Sequence, residues 1–370
     1  DKSLQTWQGV MESYPRDLEA YDNVADLFMR QGQYEKAAEI ERRTQRLVPK
    51  PGLAYQNLAL IALALQRFDE ARQIMHEGQE RTPNDWILRY YLYALAFLDA
   101  DSAAMAEQQQ WFASKPDYEN VGLGLASDTE AYAGHLGKAR ELTKRAVDSA
   151  IRSDNKEGGA NWQKDAAQRE AAYGYAAEAR QLAAEASKLA PTSQSVEVQA
   201  AVAFAMAGDT ARAESLAQDL NKRHPLDTKI QSLWLPAIRA RLALNRKNPS
   251  EAISDLQAVA PIEFGDSCLY PTYIRADAYL AAGQGTQAAA EFQKILDHNG
   301  HVRNCWTGAL AHLGVARANA LQAKTSQGAD ADAARVRALA AYKDFLTLWK
   351  DADPDIPVLI AAKAEFAKLQ

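Results

Sequence analysis

The 370-residue chain is poor in the features that mark catalysis, metal binding or membrane passage. It has two cysteines, too few for a disulfide scaffold and too few for a four-ligand zinc site without help. No apolar run reaches the roughly 18 residues that span a bilayer. Basic residues are not in excess: 42 Lys and Arg face 48 Asp and Glu, for a net charge of −6. That balance argues against a nucleic-acid partner, which demands a basic stripe. The pairs Gly122/Gly124 and Gly283/Gly285 lack the third glycine or the lysine of a phosphate loop. His298, His301 and Cys305 have ligand-like spacing but no fourth ligand nearby. Asp351, Asp353 and Asp355 alternate like the start of a calcium loop, but Pro354 interrupts them and Ala362 stands where a glutamate is needed. The six histidines are scattered, so no nucleophile–base pair is read. The expectation is a chain with no catalytic residue, cofactor or metal.

What is present is a period. Pro15, Pro49 and Pro83 are spaced by 34 residues, as are Ala37 and Ala71, and Pro191 and Pro225. Tetratricopeptide (TPR) repeats have this period, each one a helix–turn–helix that cannot bury its apolar side alone. Ala37, Ala71, Ala104, Ala139, Ala179, Ala213, Ala252, Ala288 and Ala338 open the second helix of successive units. A small residue is needed there because the paired helices approach most closely at that point. Five residues earlier, Gly32, Gly134, Gly174, Gly208 and Gly283 fall at the turn, where glycine accepts the left-handed conformation. Apolar residues at helical spacing mark one buried stripe per helix, such as Tyr21, Val24, Ala25 and Phe28. The predicted fold is all-α, a right-handed superhelical solenoid of antiparallel helix pairs, with about nine repeats plus terminal helices.

Unequal intervals between the alanines locate the insertions. Residues 1–17 read as the second helix of a truncated repeat, so the sequence, which opens at Asp1 without a signal peptide, reads as a fragment. Residues 18–153 are the N-terminal half of the array, and 154–265 carry lengthened units. Residues 266–352 hold the C-terminal repeats, with an insertion near 324–336 expected to make a long mobile turn. Residues 353–370 are expected to cap the stack. Cys268 and Cys305 lie 37 residues apart, each just ahead of a first helix. Regular stacking would hold them roughly 10 Å apart, beyond the ~7 Å that a disulfide tolerates. A bridge therefore stays open, and depends on loop ends leaving the regular stack.

The strings Leu269–Arg275 (LYPTYIR), Ala288–His298 (AAAEFQKILDH), Gly308–Gly314 (GALAHLG) and Tyr342–Pro357 (YKDFLTLWKDADPDIP) form an ordered series. The series resembles the C-terminal TPR region of acidobacterial-type bacterial serine/threonine protein kinases. That resemblance implies a regulatory, non-catalytic segment that binds a protein or peptide, with the kinase domain of the same chain as a further partner. It also implies the extracytoplasmic face of a membrane if the kinase spans one, and the cytoplasm otherwise, with no membrane insertion by this segment. The alternatives are the effector or oligomerisation domain of a winged-helix transcriptional regulator, which predicts two free thiols, and a structural assembly scaffold.

In TPR arrays the first helices line the concave face. The resemblance places Asp22, Asp26, Asn57, Leu60, Tyr90, Tyr91 and Phe97 on that face, and further along Lys164, Tyr273 and Asp277. Asp22 and Asp26 stand where a clamp for a C-terminal carboxylate needs basic or amide groups, and only Asn57 matches. Tyr90, Tyr91 and Phe97 either anchor an extended peptide or pack between repeats.

Overall fold

A computed structural model describes residues 2–47 and 53–370. Pro49, one of the period markers, lies outside the described residues. The chain begins with α1 (Lys2–Ser13), α2 (Leu18–Arg30), α3 (Tyr34–Leu47), α4 (Leu53–Ala64), α5 (Phe68–Arg81), α6 (Trp86–Leu98) and α7 (Ser102–Ala113). It continues through α8 (Glu119–Tyr132), α9 (Leu136–Arg152), α10 (Lys156–Tyr173), α11 (Ala176–Leu189), α12 (Gln194–Met206) and α13 (Thr210–Arg223). Next come α14 (Leu235–Asn245), α15 (Pro249–Gln257), α16 (Tyr270–Ala281), α17 (Gly285–Asp297) and the short α18 (Asn299–Val302). The last three are α19 (Trp306–Thr325), α20 (Gly328–Leu348) and α21 (Pro357–Leu369). The described residues contain no strand. The fold is an all-α solenoid of TPR-like helix hairpins.

The hairpins close for the reasons the residues suggest. Ala37, Ala71, Ala139, Ala179, Ala213, Ala252, Ala288 and Ala338 are all 0% exposed, each at the crossing of its two helices; Ala104 is half-buried. A larger side chain at such a crossing would force overpacking worth roughly 1–3 kcal/mol. All five turn glycines have positive φ, from 71° at Gly32 to 106° at Gly174. Gln66 and Lys247 hold the equivalent turns at φ near 60° without a glycine. Side chains cap many of the helices: Asp17 accepts from the Ala20 amide, Asp85 from Ile87 and Leu88, and Ser193 from Val196. Each cap contributes about 1 kcal/mol.

The insertions are built into helices rather than loops. The extra residues near 153–161 extend α9 and α10, leaving only Ser153–Asn155 between them. Those after Pro225 are absorbed by a π-helical turn, Ile230–Trp234, that runs into α14. The expected mobile turn at 324–336 is not formed: α19 runs to Thr325 and α20 starts at Gly328. The segment is rich in alanine, the best helix former, and Asp330 sits in the first turn of α20, where the helix dipole favours a carboxylate.

By contacts the chain divides into two compact units. The first comprises Asp1–Trp111, Pro261–Ser267 and His298–Arg303. Its core runs through Val24, Phe28, Tyr34, Ala37 and Ile61, and continues through Tyr55, Ala59, Met75 and Leu88. The second comprises Phe112–Ala260, Cys268–Asp297 and Asn304–Gln370. Within it the first helices α8, α10, α12, α14, α16 and α19 pack each on the next, and α19 packs in turn on α8. The C-terminal helices clamp this ring. Trp349 is 1% exposed; its indole N–H donates to the Tyr132 carbonyl at 2.9 Å and its ring meets Tyr173 edge-on at 5.0 Å. The Asn304 amide donates to Leu125 O and Thr129 Oγ1, both on α8, and the Asp353 amide donates to Gly134 O. A side chain at Gly174 would run into Pro357.

Cys268 and Cys305, both in this second unit, form a disulfide with Cα atoms 5.7 Å apart. The regular-stack separation does not apply to them. Leu269, at φ 50°, breaks the approach to α16, and Arg303, at φ 56°, breaks the approach to α19. Both cysteines thus sit on irregular backbone.

Candidate functional site

In the first unit the chain's own two short segments pack against the C-terminal ends of α2 and α4, the start of α3 and Tyr90 of α6. Tyr34 donates from its hydroxyl to the Phe264 carbonyl at 3.0 Å. The Phe264 ring lies 4.7 Å from His298 and 5.7 Å from His301, and His301 meets Tyr34 edge-on. A Cβ at Gly265 would collide with the Arg30 carbonyl, and one at Gly300 with the Leu63 carbonyl, so both segments lie backbone to backbone against α2 and α4. His301 is 3% exposed; burial pushes its imidazole down to about 4. The neutral ring therefore donates from Nε2 to the Asp266 carbonyl at 2.9 Å.

This places the aromatic residues predicted for the groove. Tyr90 and Tyr91 meet edge-on at 5.5 Å. The Arg303 guanidinium stands 5.5 Å from the Tyr90 ring centroid and donates to its hydroxyl at 3.4 Å. Arg303 takes this position at φ 56° and ψ −130°, a region other residues than glycine rarely adopt, at roughly 1–3 kcal/mol. Burial pushes the Tyr91 phenol up to about 12. The platform thus already carries an internal arginine. Phe97 is half-buried at the end of α6, and Leu60 packs into the core around Val24 and Ile61. Asp26 pairs with Arg30 on the same helix, and Asp22 is half-buried with its carboxyl raised by burial. Asn57 is engaged within the unit: its amide donates at 2.6 Å to Glu41, a fully buried carboxyl.

In the second unit the inner face of the ring is polar. On α10, Lys164 donates to Asp165 at 2.7 Å and to Gln199 of α12 at 2.9 Å. Beside it Arg169 bonds Ser127, Asp128 and Thr143, which ties α10 to the α8–α9 hairpin. Burial pushes the Asp128 carboxyl up to about 7, against the pull of Arg169. Farther round, Arg241 of α14 and Asp277 of α16 approach to 3.6 Å, and Arg317 of α19 grips Glu365 of α21 through two hydrogen bonds. Tyr273 of α16 rests on Trp306 at 5.0 Å and Phe292 at 5.4 Å. Its hydroxyl lies within electrostatic reach of Arg241, Arg317 and also Tyr173. Tyr173, on α10, is itself a fully buried core residue whose hydroxyl donates to the Ala131 carbonyl at 2.6 Å.

Burial raises the Asp277 carboxyl, with Arg241 and Arg317 opposing the rise. Yet Asp277 keeps 32% of its side-chain surface and Arg241 25%. The pair is thus partly exposed and is not sealed in a dry core. Tyr273 and Asp277 stand one turn apart on α16 with Arg241 and Arg317 in electrostatic reach of both, whereas Lys164 is engaged by Asp165 and Gln199. Arg241, Arg317 and its partner Glu365 were missed; the clue for the two arginines was a charged residue on an otherwise alanine-rich first-helix stripe. The metal-like trio is dispersed: His301 bonds a carbonyl and Cys305 is in the disulfide. Among the described residues no helix is long and apolar enough to cross a membrane.

No protein-family model matches the chain, and no curated protein matches it. Among solved structures it is similar to a tetratricopeptide repeat protein from Parabacteroides merdae, at 14% identity over 85% of this chain and 99% of that one, with a TM-score of 0.34. It is also similar to yeast Tom70, at 12% identity over 97% and 96% of the two chains and a TM-score of 0.35. A third likeness is the TPR domain of P58(IPK), at 12% identity over 99% and 91%, with a TM-score of 0.27. These likenesses say nothing of a partner.

Proposed function

We propose that this chain is a non-catalytic interaction module that takes an extended peptide segment of a partner protein on the inner face of its second unit. The observation that carries this is the run of polar first-helix side chains, with Arg241 of α14, Tyr273 and Asp277 of α16 and Arg317 of α19 within electrostatic reach of one another. Successive hairpins supply one or two groups each, which suits a ligand that runs along several repeats. A packed ring is ordered before the ligand arrives, so little conformational entropy is lost on binding. The Cys268–Cys305 bond favours an oxidising compartment, and so supports the extracytoplasmic kinase-region assignment over the cytoplasmic regulator. That finer assignment otherwise rests on the strings of the final hundred residues.

The test is selection of linear peptides from a displayed library, followed by titration against wild type, Asp277→Ala and Tyr273→Phe. A selected peptide should lose about tenfold or more in affinity against Asp277→Ala. Peptides that bind all three proteins equally, or a selection that yields none, would retire the proposal.

A further inference from the structure

Within the second unit, three neighbouring polar groups on the inner face have unspent hydrogen-bonding capacity. Arg241 Nε is buried without a partner. The Arg241 Nη1 to Asp277 Oδ2 distance of 3.6 Å is too long for a hydrogen bond. Among the described residues nothing hydrogen-bonds the Asp277 carboxylate or the Tyr273 hydroxyl. Elsewhere on the same face such groups are engaged, as in the two-bond Arg317–Glu365 pair and the Lys164–Asp165–Gln199 set. A guanidinium and a carboxylate side by side with hydrogen-bonding capacity left over are the exception.

We infer that Arg241, Asp277 and Tyr273 form a recognition site for an amide group, with Arg241 donating to its carbonyl and Asp277 accepting from its N–H. The choice follows from charge. A ligand carboxylate would meet Arg241 but be repelled by Asp277. A ligand ammonium would meet Asp277 but be repelled by Arg241. A neutral group with an acceptor and a donor on the same side satisfies both, and a primary amide, with one N–H syn to its carbonyl, is that group. Tyr273, braced by Trp306 and Phe292, offers its hydroxyl to the second lone pair of the carbonyl. The amide is that of an Asn or Gln side chain, because a trans main-chain amide points its N–H and its carbonyl in opposite directions and cannot meet two groups that stand side by side. The inference rests on the peptide-binding proposal for its biological ligand, but its test does not.

The probes are four small molecules: N-methylacetamide for the main chain, acetamide for the side chain, acetate and methylammonium. The readout is the Arg241 Nε–H resonance of the full chain, assigned by its loss in Arg241→Lys. Acetamide should shift it saturably, and N-methylacetamide, whose N–H points away from its carbonyl, should do so at least tenfold more weakly; equal shifts by the two would refute the paired geometry. Acetate and methylammonium should not. Asp277→Ala should weaken the amide about tenfold or more, and Asp277→Asn, which removes the repulsion, should admit acetate. A shift by acetate in the wild type equal to that by the amides would overturn the assignment in favour of an anion site. Silence with all four probes, or equal amide affinity in Asp277→Ala, would overturn it outright. Peptides that bind insensitively to Asp277→Ala, beside a positive amide titration, would sink the peptide proposal and leave this one standing.

Discussion

Glu41 should make the first unit less stable as the solution becomes less acidic. Its side chain is 0% exposed on α3. One carboxyl oxygen accepts from Asn57 at 2.6 Å and the other, buried, has no partner. Burial, with a smaller push from the Asp22 charge, raises it from 4.5 to about 7. Between those values the folded chain holds a proton that the unfolded chain has lost, so stability falls as pH rises through the window. A rise of that size corresponds to about 3 kcal/mol once both states are ionised. Glu41→Gln keeps the acceptor for Asn57 and cannot ionise. Near pH 4 the variant and wild type should differ little, because glutamine mimics the protonated acid. Near pH 8 the variant should be more stable by about 3 kcal/mol. Urea unfolding followed by circular dichroism measures the difference, and hydrogen exchange of α3 localises it to the first unit. A gap that stays constant across this pH range would refute the assignment of a buried, proton-holding carboxyl.

Other perturbations have equally definite outcomes. Trp349→Ala removes a fully buried ring and its hydrogen bond to the Tyr132 carbonyl; it should cost about 3–5 kcal/mol in denaturant unfolding of the second unit. Replacing both Cys268 and Cys305 by serine frees a loop with a sequence separation of 37. The expected loss is about 4 kcal/mol from loop entropy, and a midpoint unchanged by reductant in the wild type would contradict it. Tyr90→Ala takes away the seat of Arg303; amides of 298–303 should then exchange faster while those of α10 and α12 keep their protection. Acidification below 6.5 should weaken the same segment, because His301, held down to about 4 by burial, is protonated more readily in the unfolded chain. Stability at that site is therefore lost as pH falls from 6.5 towards 4, and His301→Gln should flatten the dependence seen by hydrogen exchange.

The repeat architecture was legible because its determinants are local. Ala139 and Gly134 fix one hairpin through neighbours within a few residues, and the same pair of signals recurs along the chain. The docking of two distant short segments in the first unit was not legible, since Tyr34 finds Phe264 across 230 positions and Arg303 finds Tyr90 across 213. No spacing rule encodes such a meeting. Residues 324–336 misled for a different reason. Their polar, Asp-bearing character suggested a turn, while their alanines and the favourable first-turn Asp330 made helix. Lys164, Tyr273 and Asp277 were placed by counting from repeat landmarks. Arg241 escaped because the π-helical turn at Ile230–Trp234 inserts an extra residue just before its helix and spoils the count.

The contact of α19 with α8 changes how the second unit can come apart. A linear row of hairpins frays from its two termini, where each end unit has one neighbour instead of two. Joined head to tail, six first helices offer no such weak point, so the least stable hairpin is supported on both flanks. Melting must then begin by parting the seam that Trp349 and Asn304 hold shut, and with that seam broken the remaining units lose their closure together.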